Sequence, residues 1–211
     1  MPEDESSYWD QRWREGDTGW DIGGVSPPLQ HYFEQLPDKT ISILIPGCGN
    51  AWEAAWLLDN GFTDITLLDI APRATQRLRE KFAATPLKIL TGDFFQHTGQ
   101  YGLIIEQTFF CALDPNQRSA YVEKAHTLLR PGGKLAGLLF DRDFPGGPPY
   151  GGHKAEYQQL LEKKFTLKTL APCYNSLKPR AGTELFFIAC RRPVIQTAPA
   201  DSNNENSPTP R

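Results

Sequence analysis

Apolar and polar positions along the chain alternate between a two-residue and a helical rhythm. Thr40 to Pro46 is a short β-branched, apolar run that predicts a strand. Gly47-Cys48-Gly49 then turns the chain, and Asn50 followed three residues later by Glu53 has the spacing of a capped helix N-terminus. That helix stops near Asn60-Gly61, and Ile65 to Asp69 is a second strand ending in a carboxylate. Pro72 suits the first turn of the next helix, whose Ala74, Leu78 and Phe82 share a face. Leu87 to Leu90 and Tyr101 to Ile105 are the third and fourth strands. Pro115 to Leu129 reads as a helix, with Tyr121, Ala125, Leu128 and Leu129 on one side and Pro131-Gly132-Gly133 as its stop. Lys134 to Phe140 is a fifth strand. After the Gly/Pro-rich Phe144 to Gly152, a helix runs to about Lys164, and strands lie near Phe165 to Leu170 and Thr183 to Cys190.

This alternation predicts an α/β fold: a mostly parallel, seven-stranded sheet with helices on both faces. No helix separates the last two strands, so an antiparallel last strand is expected. The length of 211 residues fits one domain over 1–192, and the Pro-, Asn- and Ser-rich 193–211 is expected to be a disordered tail. A 39% hydrophobic and 22% charged composition excludes collagen, coiled coil and wholesale disorder.

A net charge of −3 and the lack of a dense basic cluster argue against a nucleic-acid partner. Arg73, Arg77, Arg79 and Lys81 read as the solvated face of a helix. No apolar run approaches the ~20 residues that span a bilayer, and the acidic Met1 to Ser7 has no signal-peptide character. Cys48, Cys111, Cys173 and Cys190 are scattered without metal spacing, as expected of reduced thiols in a cytoplasmic monomer without a metal site.

In a sheet of this kind ligands bind beyond the carboxyl ends of the strands. Gly47-x-Gly49 follows the first strand, Asp69 ends the second and Asp93 follows the third. Glycine permits close backbone approach, and an acidic residue about 20 positions on can accept hydrogen bonds from ribose hydroxyls. Trp52 stands where a dinucleotide fingerprint has its third glycine, which favours a ligand without a pyrophosphate, such as S-adenosylmethionine, over a nicotinamide cofactor. Asp93 is then placed to meet the adenine amino group. Trp9 and Trp13 share a helical face and Trp20 follows; these three are either ordinary core or an aromatic lid that attracts and shields a sulfonium cation. Trp52, Trp56, Cys48 and Cys111 read as packing residues, and the four histidines show no pairing, with His31 nearest the lid. The segment around Tyr150 is either a linker or a loop over the acceptor.

Trp9-x-x-x-Trp13, Gly19-Trp20-Asp21, Pro46-Gly47-Cys48-Gly49, Leu68-Asp69-Ile70, Gly92-Asp93-Phe94-Phe95, Thr108 to Ala112 and Gly147-Pro148-Pro149-Tyr150 occur in this order. Together they resemble the thiopurine S-methyltransferase family, and within it the plant-type thiol/halide branch. The resemblance runs from about Trp9 to Arg191. It implies a Rossmann-like class I methyltransferase fold and S-adenosylmethionine as cofactor. It places Trp9, Trp13 and Trp20 over the cofactor, Gly47 against it, Asp69 on the ribose, and Asp93 and Phe94 around the adenine. Glu106-Gln107 stand where the family often has Asp-Tyr, so Gln107 takes the tyrosine's place at the cofactor. Arg118 and Arg180 match arginines near the acceptor. The implied reaction is methyl transfer to a small soft nucleophile, a thiol or thiocyanate/halide. A non-catalytic cofactor-binding protein and a nicotinamide-dependent oxidoreductase are the alternatives.

Overall fold

The computed structural model describes residues 4–193. The expected disordered tail therefore lies, beyond Pro193, outside the described residues. The seven strands are β1 (Ile43–Pro46), β2 (Ile65–Asp69), β3 (Lys88–Thr91), β4 (Tyr101–Gln107), β5 (Leu129–Phe140), β6 (Phe165–Pro172) and β7 (Glu184–Arg191). They form one sheet in the order β3-β2-β1-β4-β5-β7-β6. Pairing is parallel from β3 through β5, whereas β7 runs antiparallel to both β5 and β6. The expected antiparallel end is thus present, and strand order reverses between β1 and β4, where the carboxyl ends open a crevice.

The helices are α1 (Glu5–Glu15), α2 (Pro27–Glu34), α3 (Trp52–Asp59), α4 (Pro72–Lys81), α5 (Arg118–Leu128) and α6 (Lys154–Glu162). Successive strand residues point to opposite faces, and the core is divided accordingly. Ile43, Ile45, Leu103 and Ile105 pack under Leu29 and Phe33 of α2, Ala54 and Leu57 of α3, and Leu78 of α4. Leu44, Ile104, Leu135 and Leu139 face Tyr121, Val122 and Ala125 of α5, and Tyr157 and Leu161 of α6. Trp13 of α1 forms a third cluster with Ala71 and Ala74 at the start of α4.

Several boundaries differ from those the pattern predicts. α2 lies in a segment the alternation leaves unassigned, although Ser26, Pro27-Pro28 and the Leu29–Tyr32–Phe33 stripe are helix signals. α3 begins one residue later than a cap at Asn50 requires: Ala51 sits at φ 52° and no side chain caps the helix. Asn50 is diverted because its amide donates to Asp21. Pro115–Gln117 is a 3-10 turn before α5, stabilised by a reciprocal Asp114–Gln117 capping box. Pro131-Gly132-Gly133 ends no helix but lies within β5, which starts at Leu129 opposite Tyr101. A Cβ on Gly133 would lie 2.9–3.2 Å from three carbonyl oxygens, so only glycine passes there.

Candidate active site

The turn after β1 carries Gly47 and Gly49, both left-handed at φ 56° and 51°. A Cβ on Gly47 would stand 2.5 Å from the Phe109 ring, so the aromatic side chain from beyond β4 requires glycine at this point. Asp69, at the end of β2, is buried beside this turn. Its Oδ2 accepts from the Gly49 N–H (3.1 Å) and its Oδ1 from the Ala71 N–H (2.9 Å). Burial raises its pKa, against the pull of those two donors. One carboxylate therefore fixes the β1 turn and the start of α4 together. Asp93 closes a turn after β3 by accepting from the Phe95 N–H at 2.8 Å. That turn buries Phe94 against Tyr121 (5.4 Å) and Phe109 (5.3 Å).

α1 crosses the crevice as an aromatic wall. The Trp20 ring meets those of Trp9 and Trp13 edge to face, at 5.5 and 5.9 Å. The wall is fastened at several points. Asp10 Oδ1 accepts from the Arg73 N–H (2.7 Å), Ser6 Oγ donates to the Ile70 carbonyl (3.0 Å), and Gln117 Nε2 donates to Glu5 (3.1 Å). Asp21 accepts from Trp52 Nε1 (2.7 Å), the Gly23 N–H (2.9 Å) and Asn50. Those donors, with Lys81 nearby, hold its pKa below the ordinary carboxylate value against partial burial. Trp52 thus serves as a strut for the Trp20 segment more than as core, whereas Trp56 packs on Phe33.

These elements enclose a cavity of about 460 Å³. Trp9, Trp13, Trp20 and Gly47 line it, as do Asp69, Asp93, Phe94 and Arg180. Gln107 and Arg118 do not. Gln107 turns toward the segment before α2, where its Oε1 accepts from Ser26 Oγ at 3.3 Å. Arg118 is buried above the Phe110 ring, bonded to Glu156 and, at 2.6 Å, to the Gly151 carbonyl. An arginine placed there supports the loop beside the cavity and does not line it. Arg180 reaches the cavity but is also engaged, with Glu184 at 3.4 Å and the Trp20 carbonyl at 2.9 Å. Tyr150 stays outside, its N–H on the Cys111 carbonyl, while Pro148 and Pro149 line the wall. His31 is exposed beside Glu34, away from the cavity.

Four further residues shape the site in ways the motifs do not assign them. Glu106 is wholly buried, and its carboxyl accepts from the Phe109 and Phe110 N–H groups and the Tyr121 hydroxyl, each at 2.8 Å. Burial pushes its pKa to about 7. It shapes the loop that carries Phe109 without entering the cavity. Thr108, at φ 60°, is a β-branched residue in the left-handed region and holds the sharp exit from β4. Arg142 and Phe144 form part of the wall beyond β5. Cys48 and Cys111 are buried and their thiols are pushed up, Cys111 to about 12, which suits packing and not nucleophilic attack. Among the described residues no cluster of His, Cys, Asp and Glu forms a metal site.

Comparison with known proteins accords with this geometry. The family model described as thiopurine S-methyltransferase matches residues 4–190. A probable thiol methyltransferase 2 of Arabidopsis thaliana is 33% identical over 192 residues, covering 87% of this chain and 84% of the relative. A thiopurine S-methyltransferase of Pseudomonas fluorescens is 26% identical, covering 79% of this chain and 86% of the relative. In fold, the chain resembles a Burkholderia thailandensis 1,6-didemethyltoxoflavin-N1-methyltransferase solved with S-adenosylhomocysteine. The TM-score is 0.71 at 18% identity, over 89% of this chain and 87% of the other. The Rossmann-like class I fold stands with that likeness. The chain belongs to the thiopurine S-methyltransferase family, and is an S-adenosylmethionine-dependent S-methyltransferase.

Proposed function

We propose that the protein methylates a small soft nucleophile, a thiol or thiocyanate/halide, at the cavity between α1 and the carboxyl ends of the strands. The observation that carries this reading is the joining, in one cavity, of a buried strand-end carboxylate with a wall of three indole rings. The residues present fit S-adenosylmethionine. Asp69 keeps lone pairs for a ribose diol after accepting one N–H on each oxygen, and Asp93 and Phe94 flank the place for an adenine. Gly49 leaves a cradle in which an added Cβ would sit 3.8 Å from both Trp13 and Trp20. When bound, that cofactor supplies a methyl group already activated by a sulfonium charge.

The chain then has to orient, desolvate and align. Trp9, Trp13 and Trp20 present π faces to a cation and keep water out. Arg180 ties the Trp20 carbonyl to the β6–β7 connection, so its proposed part is to hold the lid in register with the acceptor end. Arg118 acts one layer out, by buttressing Gly151. Alignment of two bound reactants is worth roughly 7–11 kcal/mol of barrier, and an anionic acceptor, with no proton to lose, needs no general base. Residues 1–192 work as one domain with α1 as lid. A net charge of −3 and scattered thiols favour a cytoplasmic monomer with neither nucleic acid nor membrane as partner. No helix among the described residues is long and apolar enough to cross a membrane.

Transfer of a labelled methyl group to a panel of thiols, thiocyanate, iodide and a thiopurine is the test. Methylation of at least one member supports the reading. Tight binding of S-adenosylhomocysteine with no turnover on any member would make the protein a cofactor-binding module instead.

A further inference from the structure

Three guanidinium groups line the cavity, those of Arg12, Arg142 and Arg180. Two are engaged by carboxylates: Arg12 with Asp17 at 3.1 Å, and Arg180 with Glu184 at 3.4 Å. Arg142 pairs with no carboxylate among the described residues. Its Nε reaches only the adjacent Asp143 carbonyl at 3.3 Å, and its guanidinium lies 4.6 Å above the Phe144 ring. The nearby acids are turned elsewhere. Asp141 Oδ1 accepts from the Lys154 N–H at 3.1 Å, starting α6, and Asp143 lies 3.2 Å from His153 Nε2. Glu5, on the opposite wall, is held by Gln117.

The position of Arg142 is built and not incidental. Its backbone forms an isolated antiparallel bridge with Gly152, whose N–H donates to the Arg142 carbonyl at 3.0 Å. A Cβ on Gly151 would stand 2.2 Å from that same carbonyl, so the glycines are what let the segment close. Phe144 in turn packs edge to face on Phe140 at 5.0 Å, and Arg180 lies 5.5 Å over Phe140. The acceptor end therefore carries a row of cation, ring, ring and cation, of which only the outer cation keeps its charge uncompensated.

We propose that Arg142 is a specificity-determining residue: it draws small monoanionic acceptors, such as thiocyanate or a thiolate, into the cavity in preference to neutral thiols. The inference rests on the methyltransferase reading above and adds the charge of the acceptor to it. An unpaired cation at the mouth of a low-dielectric cleft raises the local concentration of anions, with an effect that salt screens. An anionic acceptor supplies the electron pair of the new bond, and the pair of the broken carbon–sulfonium bond stays on the donor sulfur. Both products are then neutral, no proton has to leave, and Arg142 no longer attracts the methylated product.

The test compares wild type, Arg142→Gln and Arg142→Lys on thiocyanate and on a neutral alkyl thiol assayed well below its pKa, across a range of ionic strength. Arg142→Gln is expected to lower kcat/KM for thiocyanate about 5- to 20-fold, nearly all in KM. It should flatten the salt dependence and leave the neutral thiol within about twofold, while Arg142→Lys restores most of the loss. Calorimetric titration of thiocyanate into the S-adenosylhomocysteine complex reads the same change without turnover. Equal losses on both acceptors, or an unchanged thiocyanate affinity, would overturn the inference alone. Arg142-dependent thiocyanate binding without methylation of any acceptor would overturn the proposed function and leave the role of Arg142 standing.

Discussion

The two ends of the cavity are built differently. At the β1–β3 end the groups are anchored: buried Asp69 accepts one backbone N–H on each oxygen, and Gly47 is fixed by the Phe109 ring. At the β5–β7 end the wall consists of connections rich in Gly, Pro and Arg, and Arg142 is exposed to solvent. A rigid first end suits a ligand that is the same in every turnover. A solvent-exposed, charged second end suits an acceptor that is small and selected by charge, where few directional contacts are available.

Two buried acids next to the cavity elements make stability depend on pH. Burial pushes Glu53 of α3 and Glu106 of β4 to about 7. Both native pKa values lie above the unfolded value of 4.5. The folded state therefore keeps protons that the unfolded state has lost, and stability falls as pH rises from about 4.5 toward 7, then levels off. The expected slope is up to about 1.4 kcal/mol per pH unit for each group. Urea denaturation of Glu53→Gln and Glu106→Gln across this range should each remove one share of it. An unchanged slope in either variant would remove that acid from the account.

Asp69→Ala should weaken S-adenosylhomocysteine binding about 50-fold in calorimetry, from the loss of hydrogen bonds to a carboxylate worth ~1.5–3 kcal/mol. Arg118→Ala should do the opposite of what its motif position suggests. Stability should drop by about 2 kcal/mol as the part-buried bonds to Glu156 and Gly151 vanish, while the affinity for S-adenosylhomocysteine stays within about threefold. A selective rise in acceptor KM at unchanged stability would return Arg118 to the acceptor. The smallest effect is expected for Arg180→Ala, which frees the Trp20 carbonyl. A 3- to 10-fold loss of donor-product affinity, with altered tryptophan emission, should accompany it. No change in either would break the link between the two ends.

What the sequence made legible follows this division. Gly47, Asp69 and Asp93 sit where strands end, and strand ends are set by local apolar runs, so their convergence follows from topology alone. The arginines obey no such rule. Whether Arg118 turns inward depends on Glu156 and Gly151, both more than thirty residues away, and no spacing along the chain encodes that. Asn50 shows the same limit at a smaller scale: its cap signal is sound, but Asp21 outcompetes the helix for its amide. Arg142 passed unnoticed because its backbone is placed by a bridge to Gly152, a non-local contact inside a segment rich in turn residues.

The reversed direction of β7 has a practical consequence. Its first residue, Glu184, pairs with Phe140 at the cavity edge, and its last, Arg191, pairs with Phe165 at the far edge. The chain thus leaves the sheet pointing away from the cavity, whereas α1 hands two rings, those of Trp9 and Trp13, directly to the cavity wall. An affinity tag or surface tether carried on the chain beyond β7 is expected to leave the mouth facing solution and the kinetics unchanged. The same fusion placed ahead of Glu5 hangs from the lid itself.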